Sequence, residues 1–199
     1  YDFFHIDDDR IGFVIADVSG KGVPAAIFMA VSRTLIRATG IRGVCPSECI
    51  TYSNELLAQE SANFMFVTVF YGIYNIKTGE VTYTNAGHNT PYVMKADGSV
   101  EMFPLSKDLV VGAIDDFNFS QDTLTLDHGD TLLLYTDGVT EAINSGDEEF
   151  GEQRLQAVLA QLTSNSSQDI IERIKACVSD FAGEAEQSDD ITLLAIKRL

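Results

Sequence analysis

The order of its periodic segments constrains this chain more than any other feature: helical periods come in pairs and strand periods come in runs. Residues 1–6 are strand-like, and residues 11–18 (IGFVIADV) form a β-rich run that ends at the turn Ser19-Gly20-Lys21-Gly22. Pro24 suits a first helical position, and Ile27, Val31, Leu35 and Ala38 recur at helical steps until Gly40 supplies a stop. This spacing predicts one amphipathic helix of about 16 residues. A second helix is predicted after Pro46, with Ile50, Asn54, Leu57 and Ser61 on successive turns. A meander follows, with strands at 65–75, 80–86 and 91–95; Lys77-Thr78-Gly79 joins the first two and Asp97-Gly98 follows the third. Residues 104–118 lack a period and are expected to form a surface loop. Beyond them come strands near 119–126 and 131–136, the second set up by His128-Gly129-Asp130, then helices near 151–163 and 167–182 and a last strand from Ile191 to Lys197.

This rhythm excludes the strand-helix alternation of a doubly wound sheet. The expected fold class is α+β: a four-layer α-β-β-α sandwich of two antiparallel sheets, face to face, with helix pairs outside. At 199 residues and 45% hydrophobic content, residues 1–199 are expected to make a single domain.

Charge narrows the partners. Lys plus Arg number 13 against 30 Asp plus Glu, a formal net charge of −17 that repels polyanions, so nucleic acid and anionic membrane surfaces are poor partners. The longest nearly apolar stretch, Phe64 to Tyr74, falls well short of the roughly 20 residues of a membrane helix. Cys45, Cys49 and Cys177 are an odd count without C-x-x-C spacing, which argues against a disulfide framework or a zinc site and fits a reducing cytoplasm. The chain opens at Tyr1 without Met or a signal-peptide pattern and reads as a piece of something longer.

Aspartates at strand ends carry the candidate chemistry: Asp17 before Val18-Ser19-Gly20, Asp137 before Gly138, and Asp189 with Asp190 before Ile191-Thr192. Singly, an Asp before Gly is turn chemistry. Apolar runs flank these carboxylates, so each sits at the rim of a core where unpaired negative charge is costly, and few cations besides Lys21 are near in sequence. A hard divalent cation, Mg²⁺ or Mn²⁺, suits such oxygen donors better than Zn²⁺.

Taken together the motifs resemble the SpoIIE-type (RsbU-like) branch of the metal-dependent PPM serine/threonine protein phosphatases. The matching segments are Asp17-Val18-Ser19-Gly20-Lys21-Gly22-Val23-Pro24-Ala25-Ala26, Asn54, Met65-Phe66-Val67-Thr68, Asn85-Ala86-Gly87-His88, Gly112, Gly129-Asp130, Tyr135-Thr136-Asp137-Gly138-Val139-Thr140-Glu141-Ala142, Phe150-Gly151 and Asp189-Asp190-Ile191-Thr192. The resemblance implies the fold that the periodicity reached separately. It also implies that Asp17 bridges two metal ions, that the Val18 carbonyl helps hold one, that Asp137 and Asp189 complete the catalytic site, and that Asp190 helps from behind. Two divalent ions about 3.5–4 Å apart deprotonate a shared water and neutralise the phosphoryl oxygens.

Two departures from the wider superfamily stand out. Ser19 occupies the place of a His used there as general acid, and no match is found for the phosphate-binding Arg, so leaving-group protonation and phosphate capture stay unassigned. Members of the branch also carry Gly-Gly-Asp and an aromatic before a segment like Tyr1-Asp2-Phe3-Phe4, which implies a further ligand upstream of Tyr1. On that expectation the site in residues 1–199 is incomplete and at least one metal binds weakly, Asp2 being no safe substitute because strand side chains alternate faces.

Other motifs are weaker. Ser19-Gly20-Lys21-Gly22 lacks the first Gly and the Ser or Thr of a P-loop. His88 either takes part in catalysis or orders a turn by hydrogen bonding, and the second role needs only the donor and acceptor of a neutral imidazole.

The implied function is hydrolysis of phosphoserine or phosphothreonine on a regulatory protein, of the anti-anti-sigma type in bacterial signalling, by a chain that works beneath an upstream sensor or receiver domain, a homodimer being compatible. A non-catalytic phosphoprotein-binding module and a small-phosphoester hydrolase are the competing readings; the intact set Asp17, Asp137 and Asp189 favours catalysis.

Overall fold

A computed structural model of the protein describes residues 1–60, 65–103, 108–162 and 166–199, and the chain divides into two compact units. The first is built on a five-stranded antiparallel sheet in the order β1-β2-β3-β4-β7: β1 (Asp2–His5), β2 (Arg10–Val18), β3 (Val67–Asn75), β4 (Glu80–Ala86) and β7 (Asp122–Thr125). Helices α1 (Gly22–Gly40) and α2 (Pro46–Glu60) belong to it, α1 packing on β1 and β2 and α2 on β3 and β4. Alternation places Val14 of β2 and Val69, Tyr71 and Ile73 of β3 on the face that meets Ile36 of α1 and Ile50 and Leu57 of α2. On the opposite face Phe70 stacks between Phe13 and Tyr83, with ring centroids 6.2 and 4.9 Å away.

The second unit is built on a four-stranded antiparallel sheet in the order β6-β5-β8-β9: β5 (Tyr92–Met94), β6 (Val100–Met102), β8 (Thr131–Tyr135) and β9 (Leu193–Lys197). Helices α3 (Gly151–Leu159) and α4 (Ser167–Ala182) complete it, α4 packing on β9 and α3 on α4. Helix α4 starts at a capping box in which the Asp169 N–H donates to Ser166 Oγ (3.1 Å) and the Ser166 N–H to Asp169 Oδ2 (3.3 Å). Ile170, Ile174 and Val178, four residues apart, form its buried stripe and pack with Leu155 and Leu159 of α3 and with Tyr92, Leu133 and Tyr135 of the sheet.

Mixed helix and sheet, with two antiparallel sheets and four helices, is therefore the architecture, and most elements fall where the pattern places them. Four readings need correction. First, the stripe of α1 is displaced: Ile27 is 60% and Val31 44% exposed, whereas Ser32, Ile36, Thr39 and Gly40 are buried. Gly40 is not a stop; it is the last helical residue, and a Cβ there would lie 2.6 Å from the Tyr71 hydroxyl, so it allows the close approach of α1 to β3. Second, the meander divides after β4: β4 pairs with β7, whereas β5 pairs with β6 and β8. Third, of the expected surface loop, 104–107 lie outside the described residues, but Val111 is fully buried and exchanges both backbone hydrogen bonds with Val67 (2.9 Å each). Fourth, α3 ends at Leu159, and of its expected last turn Thr163 lies outside the described residues, as does Ser61 at the end of α2.

Candidate metal centre

In the first unit the antiparallel register of β2 against β3 sets Asp17 opposite Thr68 and Val18 opposite Val67. Asp17 is half-buried at the strand end, and its carbonyl accepts from Thr68 Oγ1 (3.4 Å). The same Thr68 hydroxyl lies 2.9 Å from His88 Nδ1. Asn85 holds His88 from the other side, accepting its N–H (2.8 Å) and donating to its carbonyl (3.1 Å). These bonds describe a buried, turn-ordering histidine that props the strand bearing Asp17.

Past Asp17 the ladder extends by one residue: the Ser19 N–H donates to the Phe66 carbonyl (2.9 Å) and the Phe66 N–H to Ser19 Oγ (3.0 Å). Gly20 and Gly22 then take positive φ (86° and 78°), which turns the chain into α1, with Lys21 exposed at its N-cap. Asn54, in the quoted motif set, is buried and accepts the Gly112 N–H (2.8 Å) while donating to the Ile114 carbonyl (2.8 Å). Asp2 is buried against α1: Arg37 Nη1 lies 2.9 Å from each carboxylate oxygen and Arg33 Nε 3.2 Å from one of them. Burial works to raise its pKa, but the two guanidinium groups outweigh that and hold it below the usual carboxylate range. Asp2 is a clamp between β1 and α1.

In the second unit β8 and β9 bring two of the predicted carboxylates to one end of the sheet. Tyr135 pairs with Leu193, and the Thr136 N–H still donates to the Thr192 carbonyl (3.1 Å). Asp137 then opens a 3-10 turn, Asp137–Val139, closed by the Val139 N–H on the Thr136 carbonyl (3.1 Å). The turn lies directly on the Asp189-Asp190 backbone: a Cβ on Gly138 would sit 2.5 Å from the Asp190 carbonyl oxygen, so only Gly fits. Asp189 and Asp190 are exposed, the Asp190 N–H donating to Asp189 Oδ1 (2.7 Å). Asp137 is half-buried, and its Oδ1 is buried with no hydrogen-bond partner among the described residues.

Glu141 adds a residue that the sequence reading quoted without assigning it. Partial burial and the surrounding carboxylates of Asp137, Glu149 and Asp189 push its pKa upward. Four acids therefore share one neighbourhood, and no pattern of spacing announced that.

Among the described residues, no three His, Cys, Asp or Glu side chains converge into a ready metal-holding group. The donor set nonetheless fits a hard cation. A buried carboxylate oxygen that no N–H or O–H meets is costly, and a divalent ion satisfies it where neighbouring carboxylates only worsen it.

Comparison with known proteins gives the family. The family described as Stage II sporulation protein E (SpoIIE) matches residues 7–199. Protein IcfG of Synechocystis sp. is 34% identical over all of this chain, and the phosphoserine phosphatase RsbU of Bacillus subtilis is 30% identical over 99% of it. The chain spans 35% and 59% of the lengths of those two proteins. Among solved structures, the SiaA-PP2C domain of Pseudomonas aeruginosa superposes with a TM-score of 0.84 at 18% identity, covering 98% of this chain and 77% of that one. RsbX, solved in complex with magnesium, gives 0.69 at 18% identity, covering 98% and 84%. The chain belongs to the SpoIIE family, on a fold of the PP2C type.

Proposed function

We propose that this chain is a metal-dependent protein serine/threonine phosphatase, acting on phosphoserine or phosphothreonine of a regulatory protein of the anti-anti-sigma type in the cytoplasm. The observation that carries the reading is the Asp137 turn, whose buried carboxylate oxygen has no donor among the described residues and which lies on the Asp189-Asp190 backbone. Family membership and the name of the phosphoserine phosphatase RsbU support the substrate class.

Asp17, the Val18 carbonyl, Asp137 and Asp189 are the residues that would hold Mn²⁺ or Mg²⁺, with Asp190 behind them. Bound there, the cations supply a water of lowered pKa and neutralise charge on the phosphoryl oxygens. The chain's own residues orient these donors: the β2–β3 register fixes Asp17, the 3-10 turn fixes Asp137, and the Asp190 N–H turns the Asp189 carboxylate. Ser19 is a poor general acid, because an aliphatic hydroxyl is a weak acid at neutral pH; its Oγ accepts the Phe66 N–H and so has a structural role. The net charge of −17 favours a partner with a complementary basic face.

The test is turnover of a phosphoserine peptide beside a small aryl phosphate, with Mn²⁺, Mg²⁺ or chelator. Metal-dependent release from the peptide is expected. Release from the aryl phosphate alone would indicate a small-phosphoester hydrolase, and phosphopeptide binding without release would indicate a non-catalytic module.

A further inference from the structure

The Thr136 side chain does something that the ligand set leaves unexplained. In a regular antiparallel pair, residues that exchange hydrogen bonds use N–H and C=O on both sides. Thr136 departs from this. Its N–H donates to the Thr192 carbonyl (3.1 Å), but the Thr192 N–H donates to Thr136 Oγ1 (2.9 Å). The hydroxyl has taken the place of the Thr136 carbonyl, which is thereby free to accept the Val139 N–H and close the turn that carries Asp137. The hydroxyl proton is used as well, donating to the Asp190 carbonyl at 2.8 Å. Thr136 is 2% exposed, so water is no substitute for either bond.

A second strut runs across the same gap, from Ser188 Oγ to the Glu141 carbonyl (3.2 Å), and the Glu141 N–H donates to the Asp137 carbonyl (2.8 Å). Two of these ties, from Thr136 Oγ1 to the Asp190 carbonyl and from Ser188 Oγ to the Glu141 carbonyl, join the Asp137 turn to the Ser188–Asp190 segment, and Thr136 is the one that also lets β8 leave its ladder.

We infer that the Thr136 hydroxyl is a positioning residue: it releases the Asp137 turn from β8 and ties it to the Asp189-Asp190 backbone, setting the two carboxylates for a divalent cation. The inference rests on the metal-binding reading above. Valine, of nearly the same shape, would strand the Thr192 N–H and the Asp190 carbonyl, or draw the Thr136 carbonyl back into the ladder and unwind the turn. Serine keeps both bonds.

The experiment is calorimetric titration of the protein and of its Thr136→Val and Thr136→Ser variants with Mn²⁺ without substrate, alongside kcat and KM on a phosphoserine peptide at saturating Mn²⁺. Residues that orient ligands cost about 10–100-fold in metal affinity or activity when removed, so Thr136→Val is expected to weaken Mn²⁺ binding by about that factor. It should lower kcat with little change in KM, and Thr136→Ser should stay within about threefold of the parent, since it retains both hydrogen bonds. In an Asp137→Asn background Thr136→Val should add nothing to the loss of Mn²⁺ affinity. A folded Thr136→Val protein with parental Mn²⁺ affinity overturns the inference, as does a Thr136→Ser protein as impaired as Thr136→Val. Should Thr136→Val fail to fold, Thr136→Ser and Thr136→Ala decide: parental binding in the first and weakened binding in the second supports the role, and equal binding in both refutes it. A parent that binds Mn²⁺ without hydrolysing phosphopeptide refutes the proposed function alone, and one that binds no Mn²⁺ refutes both.

Discussion

Strand β8 has an aspartate at each end, Asp130 just before it and Asp137 just after, and the protein treats the two oppositely. Asp130 is 2% exposed and fully engaged: Lys95 Nζ lies 2.8 Å from Oδ2, the Ala96 N–H donates to Oδ1 (2.9 Å) and the Asp127 N–H to Oδ2 (3.0 Å). Asp137 has a buried oxygen that receives no hydrogen bond among the described residues, and its charge is one of those that push the nearby Glu141 pKa upward. One carboxylate is surrounded by donors that stabilise the fold; the other has a buried oxygen without one among the described residues, which the proposed cation would satisfy. Both stand beside a Gly in a turn motif, and although the sequence singles out Asp137 as the candidate ligand, it is the count of donors that separates the two physically.

The largest effect that would break this contrast is on turnover. Asp137→Asn is expected to lower kcat by more than about a hundredfold, since removing a ligand should exceed the loss from removing its supports. Thermal unfolding of the metal-free protein should be unchanged or slightly raised, because Asn removes an uncompensated charge. An active Asp137→Asn enzyme would place the metal elsewhere.

Asp130→Ala should do the reverse. Stranding Lys95 and two backbone N–H groups is expected to cost about 3 kcal/mol of stability, read from denaturant midpoints, while the protein that remains folded keeps its kcat. Loss of kcat without loss of stability would erase the distinction between the ends of the strand.

Acid sharpens it further. Burial acts to raise the Asp130 pKa, but the bonds from Lys95, Asp127 and Ala96 outweigh it and leave the group below its usual value. The contribution of a depressed carboxylate is present above its unfolded pKa, about 4, and is lost as pH falls through the folded value. Stability of the parent should therefore fall more steeply below about pH 4 than stability of Asp130→Asn. Equal slopes would mean that the bonds to Asp130 contribute nothing.

The smallest expected effect is at Ser19. Ser19→Ala removes the acceptor of the Phe66 N–H, worth about 1 kcal/mol, and should lower the rate only a few-fold without displacing the pH profile. A loss comparable to that of Asp137→Asn would make this hydroxyl a catalytic group.

Much of the fold was legible because its signals are local. Helix α4 carries its own start in Ser166 and Asp169, and Ile170, Ile174 and Val178 face the core as their spacing predicts. The turn at Lys77-Thr78-Gly79 dictates that β3 pairs with β4, since a connection of four residues leaves no other partner within reach. The candidate ligands could be named for the same reason, because each sits in a short strand-end motif. Such motifs say which residues are placed at a strand end and nothing of what surrounds them there.

What the sequence by itself determined, then, is element type, the antiparallel hairpins and the identity of the strand-end aspartates, all consequences of interactions within a few residues. Tertiary structure alone decided the rest. Helix α1 has apolar residues on more than one face, so periodicity could not choose between Ile27 with Val31 and Ile36 with Gly40; the fit of Gly40 against Tyr71, a residue far along the chain, made the choice. The assignment of β5 and β8 to one sheet and β4 and β7 to another depends on which buried faces match, not on turn chemistry. The contrast between Asp130 and Asp137 likewise arises from donors that Lys95, Ala96 and Asp127 bring to one carboxylate and that no described residue brings to Oδ1 of the other, and desolvation makes that difference costly only once the chain has folded around both.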